Sequence, residues 1–422
     1  MSFQAVQKKQ APTTAPQPRA AAPQSVVPST AKARPLQPTT PSPGFVREPD
    51  GSPRYQLDAT QLKKARAWYV ANAAQYTPNV IAQLQARLKE PATGKLTDSF
   101  LQAVTIWQIN FDLTGAAGHG TQVGNVEYGG YLPTGVLTPE QVSRLFPSGL
   151  AKPTQIAAYA TNVEELIAMW NTIGGYDGRR RALYAVLKQQ MESVGVIMPK
   201  FNLGKLSPGT MGTYDSSDHE LRINSEFLRQ PQPTPSEIRE FLSTLYHEAR
   251  HAEQAFMVAR LLYGSGMTLD AIERQTTIDK KLIKSAATKP IRPDSPAGIV
   301  ANEWYQSKYG ALAAQRSQTM SDLNTNRMTI ANVERTLINI ESRRKTLEQQ
   351  LQSGKLPAAE KTRVKNDLDL LAKQARDMNN LLTELNQTDV VNYQNYRNIP
   401  GERDAWDVEG ALSTYYYRHL EK

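Results

Sequence analysis

Thr234-Pro235-Ser236-Glu237-Ile238-Arg239-Glu240-Phe241-Leu242-Ser243-Thr244-Leu245-Tyr246-His247-Glu248-Ala249-Arg250-His251-Ala252-Glu253-Gln254 is the stretch on which the reading of this chain turns. Thr234 suits a helix cap, Pro235 the first helical position, and Glu237 completes a capping box. Apolar residues then recur at helical spacing through Ile238, Phe241, Leu242, Leu245, Ala249, Ala252, Phe256, Val258 and Leu261 to Gly264. A long amphipathic helix is therefore expected from 234 to 264. His247 and His251 are four apart and lie one above the other on one face of it.

Two imidazoles at that spacing can share one Zn²⁺, which is the cofactor the stretch implies. Glu248, about 100° around the helix, reaches a water on the metal better than the metal itself. Zinc lowers the pKa of that water, and Glu248 takes its proton as it attacks a carbonyl carbon, then passes it to the leaving amine. The plainer alternative is a surface helix with two incidental histidines. The chain holds only five histidines, which makes an accidental pair with Glu between them uncommon.

A catalytic zinc needs a third protein ligand. His119 lies in a Gly-rich stretch and reads as a loop residue, and His419 near the end reads as a surface one. His219 sits in the polar turn of an expected β-hairpin over 210–224, as a substrate contact or a solvated residue. Glu253 faces away from the pair. Glu402 is the first candidate: Pro400-Gly401 sets it in the first turn of a last helix, and Ala405 lets that helix come close. Glu303 is the runner-up. Asp404 and Asp407 could orient a His ring, although both, Asp404 above all, read as solvated helix residues. Tyr393, Tyr396 and Tyr415 to Tyr417 offer donors for a transition-state oxyanion, and packing is the plainer reading of each.

Outward from the helix, the chain divides. Residues 1–54 hold 11 of the 27 prolines with little apolar content, so a disordered Pro/Ala-rich tail is expected. Residues 55–150 read as a small helical domain with an internal repeat, Thr93-Gly94-Lys95-Leu96-Thr97-Asp98 and Thr134-Gly135-Val136-Leu137-Thr138-Pro139. In each copy Gly allows a tight turn, an apolar residue anchors it and Thr caps the next helix. Residues 155–312 carry two amphipathic helices, the hairpin and the His helix. Heptad seams over 313–388 (Val333, Leu337, Ile340, Leu347 and Leu351; Val364, Leu368, Leu371, Met378, Leu382 and Leu385), broken by Ser353 to Pro357, predict an antiparallel coiled-coil hairpin. Residues 389–422 close the chain with the helix of Glu402. The fold class expected is mainly α, with a small β-hairpin or sheet in an α+β domain.

Composition narrows the function. The chain has 422 residues and no cysteine, which excludes disulfides, thiolate metal sites and a Cys nucleophile. Net charge is +9, but no basic motif with interleaved aromatics points to nucleic acid. No apolar run is long enough for a membrane span, and no ordinary secretory signal is expected at the N-terminus.

Two resemblances add to this. Residues 76–146, through the two Gly-x-Leu-Thr turns and Trp107-Gln108, resemble the three-helix peptidoglycan-binding-like domain, although the Gly-rich insertion from Gly115 to Gly130 departs from it. Residues 155–312 and 389–422 resemble the gluzincin type of zincin metallopeptidase, in which His-Glu-x-x-His is joined by a Glu from a later helix, often as Glu-x-x-Ala. That resemblance implies His247, His251 and Glu402 as ligands and Glu248 as base. The departure is the 151 positions between His251 and Glu402. His247 to Gln254 also looks like the metallopeptidase domains of bacterial toxins and contractile-injection-system effectors. The implied protein is made in a bacterial cytoplasm and exported or injected by a specialised system. It cuts a polypeptide, and residues 55–150 and the tail contact peptidoglycan or an injection particle. A cell-wall peptide hydrolase and a non-catalytic adaptor with a vestigial site are the other readings.

Overall fold

The computed structural model describes residues 45–47, 53–109, 133–206 and 210–419. The first described elements correct one expectation. β1 (Phe45–Arg47) pairs antiparallel with β2 (Pro53–Tyr55), inside the segment expected to lack regular structure. Phe45, Val46 and Tyr55 favour strands, and Pro53 occupies a strand start, where no ladder donor is needed. The rest of the tail, and the Gly-rich insertion with His119, lie outside the described residues.

The three helices expected over 76–146 are α2 (Pro78–Arg87), α3 (Asp98–Trp107) and α4 (Pro139–Leu145), and an additional helix, α1 (Ala59–Ala71), precedes them. α1 carries a weakly patterned sequence, and buried Tyr69 anchors it by accepting from the Leu137 amide at 3.0 Å. The repeat has a physical basis. Gly94 and Gly135 both have left-handed φ, near +70°, a region that costs an L side chain about 1–2 kcal/mol. Thr97 and Thr138 cap the helices that follow. Each turn is clamped by a buried glutamine from the preceding helix end. Gln85 accepts from Gly94 N and donates to Lys95 O, and Gln108 does the same with Gly135 N and Val136 O.

α5 (Pro153–Met169) and α6 (Gly175–Ser193) follow, then β3 (Lys200–Gly204), β4 (Gly212–Asp215) and β5 (Glu220–Asn224). β4 and β5 form the expected hairpin. β3, which was not anticipated, runs parallel to β5, so β5 is central and β4 is an edge strand. α7 (Ser225–Arg229) leads into α8 (Pro235–Gly264), the helix of the His pair. Next come α9 (Leu269–Thr276), α10 (Lys280–Ala286) and α11 (Pro296–Lys308). The hairpin is built from α12 (Ala313–Gln352) and α13 (Ala358–Arg397), and α14 (Pro400–His419) ends the chain. The second arm thus runs past 388 and carries Tyr393 and Tyr396.

α8 is the axis of the molecule, with twenty of its thirty residues buried. One apolar core runs from Leu57, just before α1, to Tyr416 in α14, and α11 packs against α2, α4 and α8. A separate small cluster of Met320, Leu323, Tyr396 and Ile399 sits at the base of the hairpin. The architecture is mainly helical with one three-stranded sheet. Among the described residues no helix is long and apolar enough to cross a membrane.

Candidate metal centre

The cap at Thr234 sets the register of α8. Its hydroxyl accepts from Glu237 N, and the Glu237 carboxylate accepts from Thr234 N. Thirteen residues on, His247 points one nitrogen toward His251, with Nε2 to Nε2 at 3.1 Å. α14 begins at Pro400, and Glu402 stands in its first turn, where the helix dipole favours a carboxylate. Ala405 is fully buried, so α14 lies close on α8. Glu402 Oε2 comes within 3.2 Å of His251 Nε2 and 3.9 Å of His247 Nε2.

These three spacings suit a single ion. Ligand atoms 2.0–2.1 Å from a tetrahedral zinc stand about 3.4 Å apart. Among the described residues, His247, His251 and Glu402 form the one group of metal-ligating side chains so placed. Charge points the same way. Glu402, Glu409 and Glu248 surround two imidazoles, and Arg316 stands 3.4 Å from Glu402 Oε1. Burial drives the His247 pKa down, but Glu402 and Glu409 more than offset this and raise it to about 10. Burial alone would raise the Glu402 pKa; the two imidazoles hold it well below the ordinary carboxylate range. The carboxylates around the two imidazoles favour a positive charge between them, whether a proton or a metal.

Neighbours orient both rings. Gln254 Nε2 donates to Gly401 O at 2.8 Å and to Asp404 Oδ2 at 2.9 Å, so its amide oxygen must face His251 Nδ1, 2.9 Å away. An oxygen there can only accept, so Nδ1 carries the proton and Nε2 keeps its lone pair for a ligand. His247 Nδ1 lies 3.0 Å from Glu409 Oε2, a charge contact without the alignment of a hydrogen bond. Trp406 packs edge-on against His247 at 4.8 Å. Tyr396 donates to Glu402 Oε2 at 2.6 Å. Burial and then Glu402 push its pKa far up, so it remains a donor.

Glu248 is buried on α8 beneath β4. A Cβ at Gly212 would stand 3.2 Å from Glu248 Cγ, so the bare glycine lets the edge strand pass over the carboxylate.

Several predicted residues stand elsewhere. Glu303 is not with the imidazoles; it faces Arg403 at 3.4 Å, and burial raises its pKa to about 7. Asp407 does not reach a His ring either: it pairs with Arg144 at 3.0 Å, because its side of α14 faces the N-terminal helices. His219 neither meets solvent nor joins the group of His247, His251 and Glu402. It is buried with φ +47°, Nδ1 is 2.9 Å from Tyr214 Oη and Nε2 3.0 Å from Ile197 O, so it ties the hairpin to the preceding loop. Asp404 is no solvated residue. It takes both Nε and Nη2 of the fully buried Arg250, at 2.7 and 3.1 Å. Glu253 faces away as expected, pairing with Arg250 and accepting from Leu150 N at 2.9 Å.

Gln254, Glu409, Arg316 and Trp406 escaped the sequence reading. Glu409 is seven residues after Glu402, two helical turns on the same face, a spacing that could have exposed it. Nothing local marks Arg316.

Two cavities flank α14. One of about 770 Å³ lies toward the N-terminal helices, lined by Trp107, Arg144, Glu303, Arg403 and Asp407, away from the His pair. The other, about 70 Å³, adjoins His251 and Glu402. Comparison with family models, with curated proteins and with solved structures finds no match to this chain.

Proposed function

We propose that this chain is a zinc-dependent metallopeptidase of the gluzincin type, with His247, His251 and Glu402 as ligands and Glu248 as the proton carrier. The observation that carries the reading is the convergence of three ligand atoms from α8 and α14, within 4.8 Å of one another, beside Glu248 under an edge strand.

A zinc ion held there supplies Lewis acidity and makes a water nucleophilic near neutral pH. Glu248 accepts the proton of the attacking water and returns it to the leaving amine. Tyr396 and Gln254 hold Glu402 and His251 in place. An extended peptide adds to the outer edge of β4, where main-chain pairing sets its register above Glu248. Delivery as a bacterial effector belongs to the same proposal, with the N-terminal helices and tail as contacts to a particle or to peptidoglycan.

The test has two parts. Zinc content is measured in wild type, Glu402→Ala and Glu303→Ala; one ion per chain is expected in wild type and Glu303→Ala, and strong loss in Glu402→Ala. Hydrolysis of casein and of purified sacculi is then followed with and without chelator. Cleavage of casein alone fits an effector, and release of wall peptides fits a wall hydrolase. A metal-free wild type, or a Glu248→Ala variant as active as wild type, would overturn the reading.

A further inference from the structure

The smaller cavity beside the ligands has a composition of its own. Its charged and phenolic lining comes from Tyr214 of β4, His251 of α8, Lys308 and Tyr309 at the end of α11, Arg316 of α12 and Glu402 of α14, with Val258 and Trp304 among the apolar residues of the wall. At about 70 Å³ it falls well below the ~150 Å³ that takes up a benzene ring. A short polar group fits it and an aromatic ring does not.

Its charges are arranged for an anion. Lys308 Nζ is held at 2.9 Å by Ser216 Oγ and lies 5.4 Å from the Tyr309 ring centre; among the described residues it has no carboxylate partner. Tyr309 Oη is fixed by the same Ser216 hydroxyl at 3.1 Å. Arg316 makes one long contact, to Glu402 Oε1. Glu402 is the only carboxylate in the wall, and its Oε2 is already directed at two imidazoles and Tyr396. Two cations and two phenols thus line a space whose one carboxylate already serves Arg316, two imidazoles and Tyr396, which leaves Lys308 as the cation without an acid among the described residues.

We infer that this pocket binds a carboxylate of the substrate next to the scissile bond, and that Lys308 is the specificity-determining residue. The inference rests on the peptidase reading for what the carboxylate belongs to. It does not rest on that reading for anion binding itself. The carboxylate could be an Asp or Glu side chain or the end of the peptide chain.

The experiment uses the full chain loaded with zinc. One pair of peptides differs only in Glu or Gln beside the cleaved bond; a second pair ends there in a free acid or an amide. Wild type is expected to prefer the acid of one pair by about tenfold in kcat/KM, which also identifies the source. Lys308→Glu abolishes that preference with zinc content unchanged, and Lys308→Met is intermediate. Calorimetry supplies a readout independent of turnover: glutarate binds wild type about tenfold more tightly than it binds Lys308→Glu, and glutaramide binds neither. Glutarate binding of that pattern without any peptide cleavage would overturn the peptidase reading and leave the anion pocket standing. Cleavage with no acid preference, together with glutarate binding indifferent to Lys308→Glu, would overturn the pocket and leave the peptidase standing.

Discussion

At the scale of single residues, His247, His251 and Glu402 are each faced by a side chain outside the group of three. Glu409 stands 3.0 Å from His247 Nδ1, and if a bound metal straightens this charge contact into a hydrogen bond, carboxylates of that kind contribute about 10–100-fold in metal affinity. Glu409→Gln and Tyr396→Phe should each raise the zinc Kd by that order in competition with a chelating dye, with circular dichroism unchanged. Glu303 has a different consequence. Burial lifts its pKa to about 7 from 4.5, with Arg403 opposing and Glu140 and Asp404 adding. The folded chain favours its neutral form. The stability it contributes is full below pH 4.5 and is lost as pH rises through about 7. The loss is on the order of 3 kcal/mol, since each pKa unit is worth about 1.4 kcal/mol. Glu303→Gln should therefore gain on wild type between pH 5 and pH 8 in urea midpoints. A constant difference across that range would contradict the assignment.

At the scale of elements, local chemistry accounts for most boundaries. Threonine caps begin α2, α3, α4 and α8, each with its hydroxyl accepting from the third residue of the helix. The two Gly-x-Leu-Thr turns work because glycine alone enters the left-handed region without strain. A Cβ on Gly135 would also come within 2.6 Å of Leu57 Cδ1. Gly135→Ala should cost about 2–5 kcal/mol, from the backbone term plus overpacking, and calorimetry of the purified chain would measure it. Where sequence reading fell short, the element was supported from outside. α1 is held by Tyr69 reaching Leu137, and β3 by a parallel ladder to β5, with no pattern of their own to announce them.

At the scale of the whole molecule, the reverse face of α8 joins the site to the fold. Arg250 is fully buried between Asp404 and Glu253, donates to Ser148 O at 3.1 Å and lies over Trp304. Glu253 continues to Leu150 N, across the junction of the N-terminal helices. Asp404 continues through Gln254 to His251. Removing Arg250 strands the buried Glu253 and the partly buried Asp404, which costs about 3–5 kcal/mol. Arg250→Ala should lower the melting temperature sharply. In the fraction that stays folded, zinc binding should weaken, because the contact that positions Asp404 is gone. Full zinc affinity in a destabilised Arg250→Ala would separate the two roles.

The amino-acid order alone determined whatever is set by short range: the capped helix of the His pair, Glu248 beside it, the paired glycine turns, the β4–β5 hairpin and the two arms of the coiled coil. These follow from spacings of two, three, four and seven residues, which backbone geometry converts directly into faces and turns. Only the tertiary structure decided which carboxylate meets the imidazoles. Glu402 and Glu303 were both plausible by local chemistry, and 151 positions lie between His251 and Glu402. α12 and α13, at 40 residues each, run out and back as equal arms. Their closure returns the chain to α8, sets Tyr396, Arg316 and Glu402 together at the base, and leaves Glu303 on α11 facing Arg403. No periodicity encodes that, because it depends on how buried surfaces far apart in the chain fit against one another.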